Sequence, residues 1–263
     1  MTFQPVVPLS GYAGWLFLER TAESQKEAFN ESASVKRVTD DFRERIGSIR
    51  TAEDLVADRN LLSVALGAFG LDDDINNRFF IQKVLEGDPT SDDALSNRLS
   101  DSRYSDLNEA FGFGNVGLPR TALSFFADDL IERYEARQFE RAVGEQNNDL
   151  RLALNLGPAV DDVIGGNSTN DGRWFAMMGN SPLRSMVETA LGFPSSFATI
   201  DIDKQLEQFK ERASATFGTD DFSALTSEEN QEKIIRLYML RSEATAASSF
   251  SGASVALSLL QQI

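Results

Sequence analysis

The side chains that could do chemistry in this chain are carboxylates, hydroxyls, lysines and arginines, because its 263 residues include no histidine and no cysteine. Histidine is the commonest general base and metal ligand, and cysteine supplies thiolate nucleophiles and zinc ligands. Serine–histidine and cysteine–histidine catalysis are therefore excluded within the chain. The sequence predicts no catalytic residue, no metal site and no cofactor. The 41 acidic residues leave a carboxylate-dependent enzyme open as an alternative.

One glycine-rich segment has the spacing of a dinucleotide-binding turn. Gly112, Gly114 and Gly117 follow the G-x-G-x-x-G pattern, which requires a strand before it and a helix directly after it. Here the preceding residues have a helical pattern, and Leu118-Pro119 follow. We interpret this segment as a connection between two helices.

An acidic segment partly matches a calcium-binding loop. Asp72, Asp74 and Asn76 fit the first ligand positions of an EF-hand, but Lys83 stands at the twelfth position, where a glutamate is required. We interpret these acidic residues instead as caps of a helix that begins near Ile75, where anions offset the positive end of the helix dipole.

The overall charge limits the kinds of partner. With 25 basic and 41 acidic residues, the net charge is −16. Nucleic-acid binding draws most of its affinity from basic groups, so nucleic acid is not expected as a partner. No apolar stretch is long enough to span a bilayer, and the N-terminal residues lack the pattern of a signal peptide. The sequence predicts a cytoplasmic protein without membrane insertion, although export that needs no signal peptide stays compatible. An acidic surface suits either a basic protein partner or solubility alone.

The elements that must position these groups are helices, because apolar residues recur at helical spacing nearly throughout. Thr51, with a carboxylate three residues on, predicts a helix that continues to Gly70. Pro119 is predicted in the first turn of a long helix, and Thr226 as the cap of another. The fold class is all-α: a multihelical single-chain bundle, with two loosely repeated helical halves as one arrangement.

The organisation of the chain into domains has two interpretations. The turn-rich residues 165–172 separate an N-terminal helical region, 1–165, from a C-terminal one, 173–263, or else the chain is one continuous domain. Residues 61–71 also resemble residues 183–193, each an apolar helical face closed by glycine and a large apolar residue. Duplication explains this similarity, and so does the common Schellman ending of helices.

Several segments resemble an uncharacterised family of all-helical proteins from alphaproteobacteria. The resemblance is carried by residues 15–21, 52–58, 65–71, 81–86, 99–104 and 110–113, within roughly the first 115 residues. It implies an all-helical fold and genes that commonly lie among flagellar genes. It brings no catalytic residue and no cofactor.

The predicted function is that of a non-enzymatic interaction protein, connected with flagellar assembly or function through protein–protein contacts. A second alternative besides an enzyme is an acidic cytoplasmic chaperone for an exported flagellar subunit. Five residues are the candidate partner contacts: Tyr12, Trp15 and Leu18 near the N-terminus, and Leu257 and Leu260 near the C-terminus. The alternative, which the sequence favours for both groups, is packing on the body of the protein itself. The oligomeric state is left open.

Overall fold

The computed structural model describes residues 3–99, 101–114 and 119–249, and within them every regular element is a helix. The predicted all-α fold class is confirmed. No helix among these residues is both long and apolar enough to cross a membrane. The described residues form thirteen α-helices: α1 Gly11–Asn30, α2 Ala33–Arg45, α3 Ala52–Ala57, α4 Arg59–Ala68, α5 Arg78–Glu86, α6 Leu95–Arg98, α7 Arg103–Phe111, α8 Phe126–Gly144, α9 Asn148–Gly166, α10 Asn170–Gly179, α11 Ser181–Leu191, α12 Ile202–Phe217 and α13 Glu228–Ser249.

The chain forms two compact units, and neither is continuous in sequence. The first unit comprises Met1–Val6 and Thr21–Ala142, and the second comprises Val7–Arg20 and Val143–Ile263. The division therefore falls inside α1 and inside α8 rather than at the turn-rich residues 165–172 that separate the predicted regions. Those residues belong to the second unit, where α9 extends through Gly166 and α10 begins at Asn170.

The core of the first unit is built around α4, which packs on α2 and α3. Apart from half-buried Ser63, residues 61–68 are all buried, so α4 is enclosed on every side. Gly67 allows α8 to approach α4 closely, because a Cβ there would lie 2.8 Å from the ring of Tyr134 on α8. A helix that is apolar all round belongs in the centre of a unit rather than at its surface.

The core of the second unit joins α9, α11 and α13 to a cluster of aromatic rings. Trp174 of α10 is fully buried, with its ring stacked on Phe209 and edge-on to Phe222. Its indole nitrogen donates a hydrogen bond of 2.9 Å to the backbone oxygen of Asp220. The ring is therefore buried without leaving its N–H group unpaired.

The capping box predicted at Thr51 is confirmed, but the helix it begins is shorter than predicted. The Thr51 hydroxyl accepts from the backbone N–H of Asp54, whose carboxylate accepts from the backbone of Thr51. The helix ends at Ala57, because Asp58 has extended backbone and begins α4. Its carboxylate accepts from the backbone N–H of Leu61 and pairs with Arg45.

Two other predicted helix starts are displaced, the first by several residues and the second by one. Pro119 precedes a short 3₁₀ helix, Arg120–Ala122, and the long helix α8 begins only at Phe126. Thr226 is the last residue of another 3₁₀ helix, and the hydroxyl of Ser227 accepts the first-turn hydrogen bond of α13, from Asn230. In both places a short 3₁₀ helix includes or directly follows the residue that the sequence pattern assigns to the start of a long helix.

The internal sequence similarity corresponds to two helices with matching ends, one in each unit. Helix α4 is followed by Gly70 at φ 67° and α11 by Gly192 at φ 73°. Both helices end in a Schellman motif, in which the backbone N–H of the residue after the glycine donates to a carbonyl five residues earlier. The hydrogen bond from Leu71 to Leu66 and the one from Phe193 to Glu188 are each 2.9 Å long.

The match extends to the start of each helix and to the arginine that binds its end. Asp58 caps α4 and Asn180 caps α11, each through a side-chain oxygen. The carbonyl of Gly70 accepts from Arg103, and that of Gly192 accepts from Arg212 at 2.7 Å. The similarity therefore includes the caps, which the apolar pattern of the two helices does not require.

The left-handed glycine after α11 offers a test of this ending. We expect Gly192→Ala to lower the free energy of unfolding of the second unit by about 1–2 kcal/mol, because an L side chain at positive φ is strained. A Cβ there would also come within 2.9 Å of Arg241, whose guanidinium can move aside. Urea denaturation, with hydrogen exchange of the α11 amides, measures the change.

The matched control is Gly165→Ala in helix α9 of the same unit, where a Cβ would meet nothing within 4 Å. This control should stabilise the unit by about 0.5–1 kcal/mol, because alanine in a helix loses less backbone entropy on folding than glycine. Equal effects of the two substitutions would contradict a role for backbone strain at Gly192.

Candidate interaction surface

The first half of α1 belongs to the second unit and has one buried face and one exposed face. Gly14, Trp15 and Leu18 are buried, with Trp15 7% and Leu18 0% exposed. Leu16 and Glu19 are exposed. Of the two interpretations that the sequence allows for Trp15 and Leu18, the structure places both side chains in the core of the unit.

One polar atom of Trp15 is buried without a hydrogen-bond partner. Its indole Nε1 is buried and has no hydrogen-bond partner among the described residues. An unpaired buried donor costs about 1–3 kcal/mol, which the apolar contacts of the ring have to offset. This group faces the interior of the unit, so it contributes packing rather than an exposed polar contact.

Helix α13 lies directly against the start of α1. The hydroxyl of Tyr12 donates to the carboxylate of Glu232 at 3.2 Å. Gly11, at φ 60°, lies so close to Glu243 that a Cβ would overlap that carboxylate. Glycine is favoured at this position because its backbone angle strains an L side chain, and any side chain there would also have to displace the Glu243 carboxylate.

Carboxylates concentrate where these two helices meet. The pKa of Glu19 is raised above its ordinary value, first because neighbouring groups partly desolvate its exposed carboxylate and then by the negative charges of Glu232 and Glu228. The pKa of Tyr12 is raised by burial and by its hydrogen bond to Glu232, while Arg236 opposes the shift. The contact between α1 and α13 therefore has an acidic edge.

Exposed leucines lie beside this acidic edge. Leu16 is 44% exposed, Leu240 is 51% exposed and Leu9 is 53% exposed. Leu240 lies between Arg236 and Glu243 on one face of α13, and those two residues are the ones close to Tyr12 and Gly11. We call the group the α1–α13 surface and define it by six residues: Leu9, Tyr12, Leu16, Glu19, Glu232 and Leu240.

Three of the five candidate partner contacts lie on or beneath this surface. Tyr12 lies on it and is half-buried, whereas Trp15 and Leu18 lie beneath it. Leu257 and Leu260 are outside the described residues. Leu16 and Leu240 are not among the contacts predicted from the sequence. The four-residue spacing from Tyr12 to Leu16 is a usable signal, but the contact with α13, 220 residues further on, has none.

The acidic residues of the EF-hand-like segment are engaged by other side chains. Asp72 accepts from Gln138 at 2.9 Å, and Asp74 accepts from the hydroxyl of Tyr104 at 2.6 Å. Burial and this hydrogen bond raise the pKa of Tyr104 to about 12. The prediction that these acids cap a helix near Ile75 is wrong, because a 3₁₀ helix covers residues 72–76 and α5 begins at Arg78.

The acidic residues and the glycine pattern can be compared with the requirements of a metal site and a dinucleotide-binding turn. Among the described residues, no three or more aspartates and glutamates lie close enough together to hold a metal ion. The glycine pattern that begins at Gly112 follows helix α7, as predicted, and Gly112 has a left-handed backbone at φ 61° that ends this helix. Residues 115–118 of the pattern are outside the described residues.

These features define an all-helical protein with an exposed apolar and acidic helix pair. A family model described as "Protein of unknown function (DUF1217)" matches residues 68–231, which is more than half of the chain, and the chain belongs to this family. No curated protein matches the chain.

A solved structure shares the fold. The X-ray crystal structure of protein AGR_C_984 from Agrobacterium tumefaciens superposes with a TM-score of 0.70 at 24% sequence identity. The match covers 91% of this chain and 98% of that one. The alphaproteobacterial resemblance is thus supported at the level of family and fold.

The raised pKa of Glu19 predicts a pH dependence of stability. The folded protein binds this proton more tightly than the unfolded chain, so stability falls as the pH rises from the ordinary pKa of glutamate to the raised pKa of Glu19 in the folded protein. Glu19→Gln should flatten this fall, as measured by thermal denaturation at a series of pH values.

The control for this prediction is Glu211→Gln, which removes an exposed carboxylate from α12 in the same unit. It should leave that part of the pH profile unchanged. If the Glu19→Gln profile superimposes on that of the native protein, the attribution to Glu19 is wrong.

Proposed function

We propose that this protein is a non-enzymatic helical interaction protein that binds a protein partner through the α1–α13 surface, in connection with flagellar assembly or function. The observation that carries the proposal is the pair of exposed leucines, Leu16 and Leu240, beside helices whose contact is fixed by Gly11 and Tyr12. Apolar side chains on closely packed helices lose little conformational entropy when a partner covers them.

The acidic edge favours a particular kind of partner. Glu232 and Glu228 each repel the carboxylate of Glu19 and, after desolvation, contribute to its raised pKa. A partner with basic side chains around an apolar centre would relieve this repulsion while covering the leucines. The net charge of −16 would add attraction at longer range and speed the encounter. The expected partner is therefore a protein segment that is both apolar and basic.

The flagellar part of the proposal comes from the resemblance, since genes of that family commonly lie among flagellar genes. Such a neighbourhood indicates a biological setting and leaves the mechanism open. Within this setting we propose synthesis in the cytoplasm, with either retention there or export without a cleaved signal. The C-terminal residues Leu257 and Leu260 follow α13 in the sequence and are proposed to contribute to the same contact.

The proposal is tested by complementing a gene deletion in the source organism, with swimming in soft agar and filaments in electron micrographs as readouts. The native gene should restore swimming to the deletion strain. Leu16→Glu and Leu240→Glu should not restore it, because a charge in an apolar contact is costly to desolvate. The same variants should lose the partner that is recovered with the tagged native protein, and removal of residues 250–263 should weaken its recovery.

Ile202→Glu is the matched control, because Ile202 is an apolar residue of the same unit, 46% exposed, on α12. It should restore swimming and retain the partner, and circular dichroism should show that all three variants are folded. Unchanged swimming on deletion, with expression confirmed, would contradict the flagellar connection. A stoichiometric complex with one exported subunit, lost in high salt and absent from purified flagella, would identify a chaperone instead of a flagellar component.

A further inference from the structure

The two helices of the α1–α13 surface run in opposite directions, and their contacts show which residues share each end. Gly11, the first residue of α1, lies against the carboxylate of Glu243 towards the end of α13. About two turns further along α1, the carboxylate of Glu19 interacts with the negative charges of Glu228 and Glu232, in the first turns of α13. One end of the surface therefore carries three carboxylates.

The exposed leucines lie towards the opposite end. Leu240 is on α13 about one turn before Glu243, and Leu9 comes just before Gly11 in the chain. Leu16 is on α1 between this end and the acidic end. The carboxylate at the apolar end, that of Glu243, lies in the contact between the two helices, against Gly11. Apolar and acidic groups are therefore separated along the surface rather than interleaved.

The exposed faces of α1 and α13 offer a partner side chains only, because backbone N–H and C=O groups are paired within a helix. An extended segment laid on these helices would lose water from its own backbone groups without gaining partners for them. A helical segment pairs its own backbone groups, and its side chains pack between those of two neighbouring helices. The surface therefore favours a helical partner over an extended one.

The centre of the surface carries a positive charge. Arg236 is exposed on α13, one turn from Leu240 and one turn from Glu232, and its charge acts on the hydroxyl of Tyr12. A basic residue at the centre of a partner would face this guanidinium and be repelled, whereas basic residues at the acidic end would be attracted. The charges of the surface therefore favour a partner with its basic residues grouped at one end.

We propose that the partner segment is an amphipathic helix with apolar residues at one end of its contact face and basic residues at the other. The apolar end covers the exposed leucines, and the basic end pairs with the three carboxylates. Glu228 and Leu240 are about 18 Å apart along α13, so a helix of about 12 residues spans both ends. This inference rests on the proposed function and adds the conformation, the length and the charge order of the partner.

The test measures the binding of synthetic peptides to the full-length protein by fluorescence anisotropy at low salt. One alanine-based peptide, the separated peptide, carries leucines on the first half of a helical face and lysines on the second half. The other, the alternating peptide, has the same leucines and lysines in alternation along that face, and circular dichroism checks that both are equally helical. The separated peptide should bind at least about tenfold more tightly, because the alternating one places lysines at Arg236 and at the leucines. A proline at the centre of the separated peptide should weaken binding by about the same factor, since it breaks the helix.

Two variants of the protein test the two ends of the surface. Leu240→Glu should weaken binding of the separated peptide at least about tenfold, because a charge replaces an apolar contact. Glu232→Gln should weaken it about threefold and reduce its dependence on salt, while the new amide oxygen can still accept from Tyr12. The matched controls are Ile202→Glu and Glu211→Gln on α12 of the same unit, which should leave binding unchanged.

Equal affinities of the separated and alternating peptides would overturn the proposal, and so would unchanged binding of the proline peptide or equal effects of Glu232→Gln and Glu211→Gln. If no peptide binds at about 1 mM but Leu240→Glu still loses the partner recovered with the tagged native protein, the helical partner is wrong and the proposed function stands. If Leu240→Glu loses the separated peptide yet restores swimming, the inferred preference of the surface stands and the proposed function is wrong.

Discussion

Both units depend on the burial of apolar helix faces. The chain contains no cysteine, so no disulfide adds to this stabilisation. In the first unit this burial centres on α4, whose residues 61–68 are enclosed almost completely. Close approach of the helix axes follows from it, since Tyr134 packs where Gly67 has no side chain. The order of the helices then decides which surface residues become neighbours.

The α1–α13 surface depends on this packing. It exists because the buried face of α1, with Trp15 and Leu18, turns Leu16 outward beside α13. The result is an apolar surface with an acidic edge. In the first unit, Asp72 accepts from Arg141 of α8 and holds it near the start of α4, where Arg59 lies.

A local sequence pattern predicts an interaction correctly where all of the interacting groups lie within about one helical turn of the chain. The capping box at Thr51 and the left-handed Gly70 are of this kind, and both are confirmed. Helix starts were wrong where a neighbouring polar group competed for the same role, as Asp58 does within the predicted helix and Ser227 does after Thr226. Such competition depends on small differences in backbone angle, which residue types alone do not specify.

The sequence by itself determined the all-helical class and the exclusion of histidine and cysteine chemistry, because composition and helical spacing are local properties. Only the tertiary structure decided that Trp15 is buried while Leu16 is exposed, and that Arg59 and Arg141 line one cleft. These arrangements join residues far apart in the chain. Their contacts arise from the packing of whole helices, and no short segment of sequence encodes that packing.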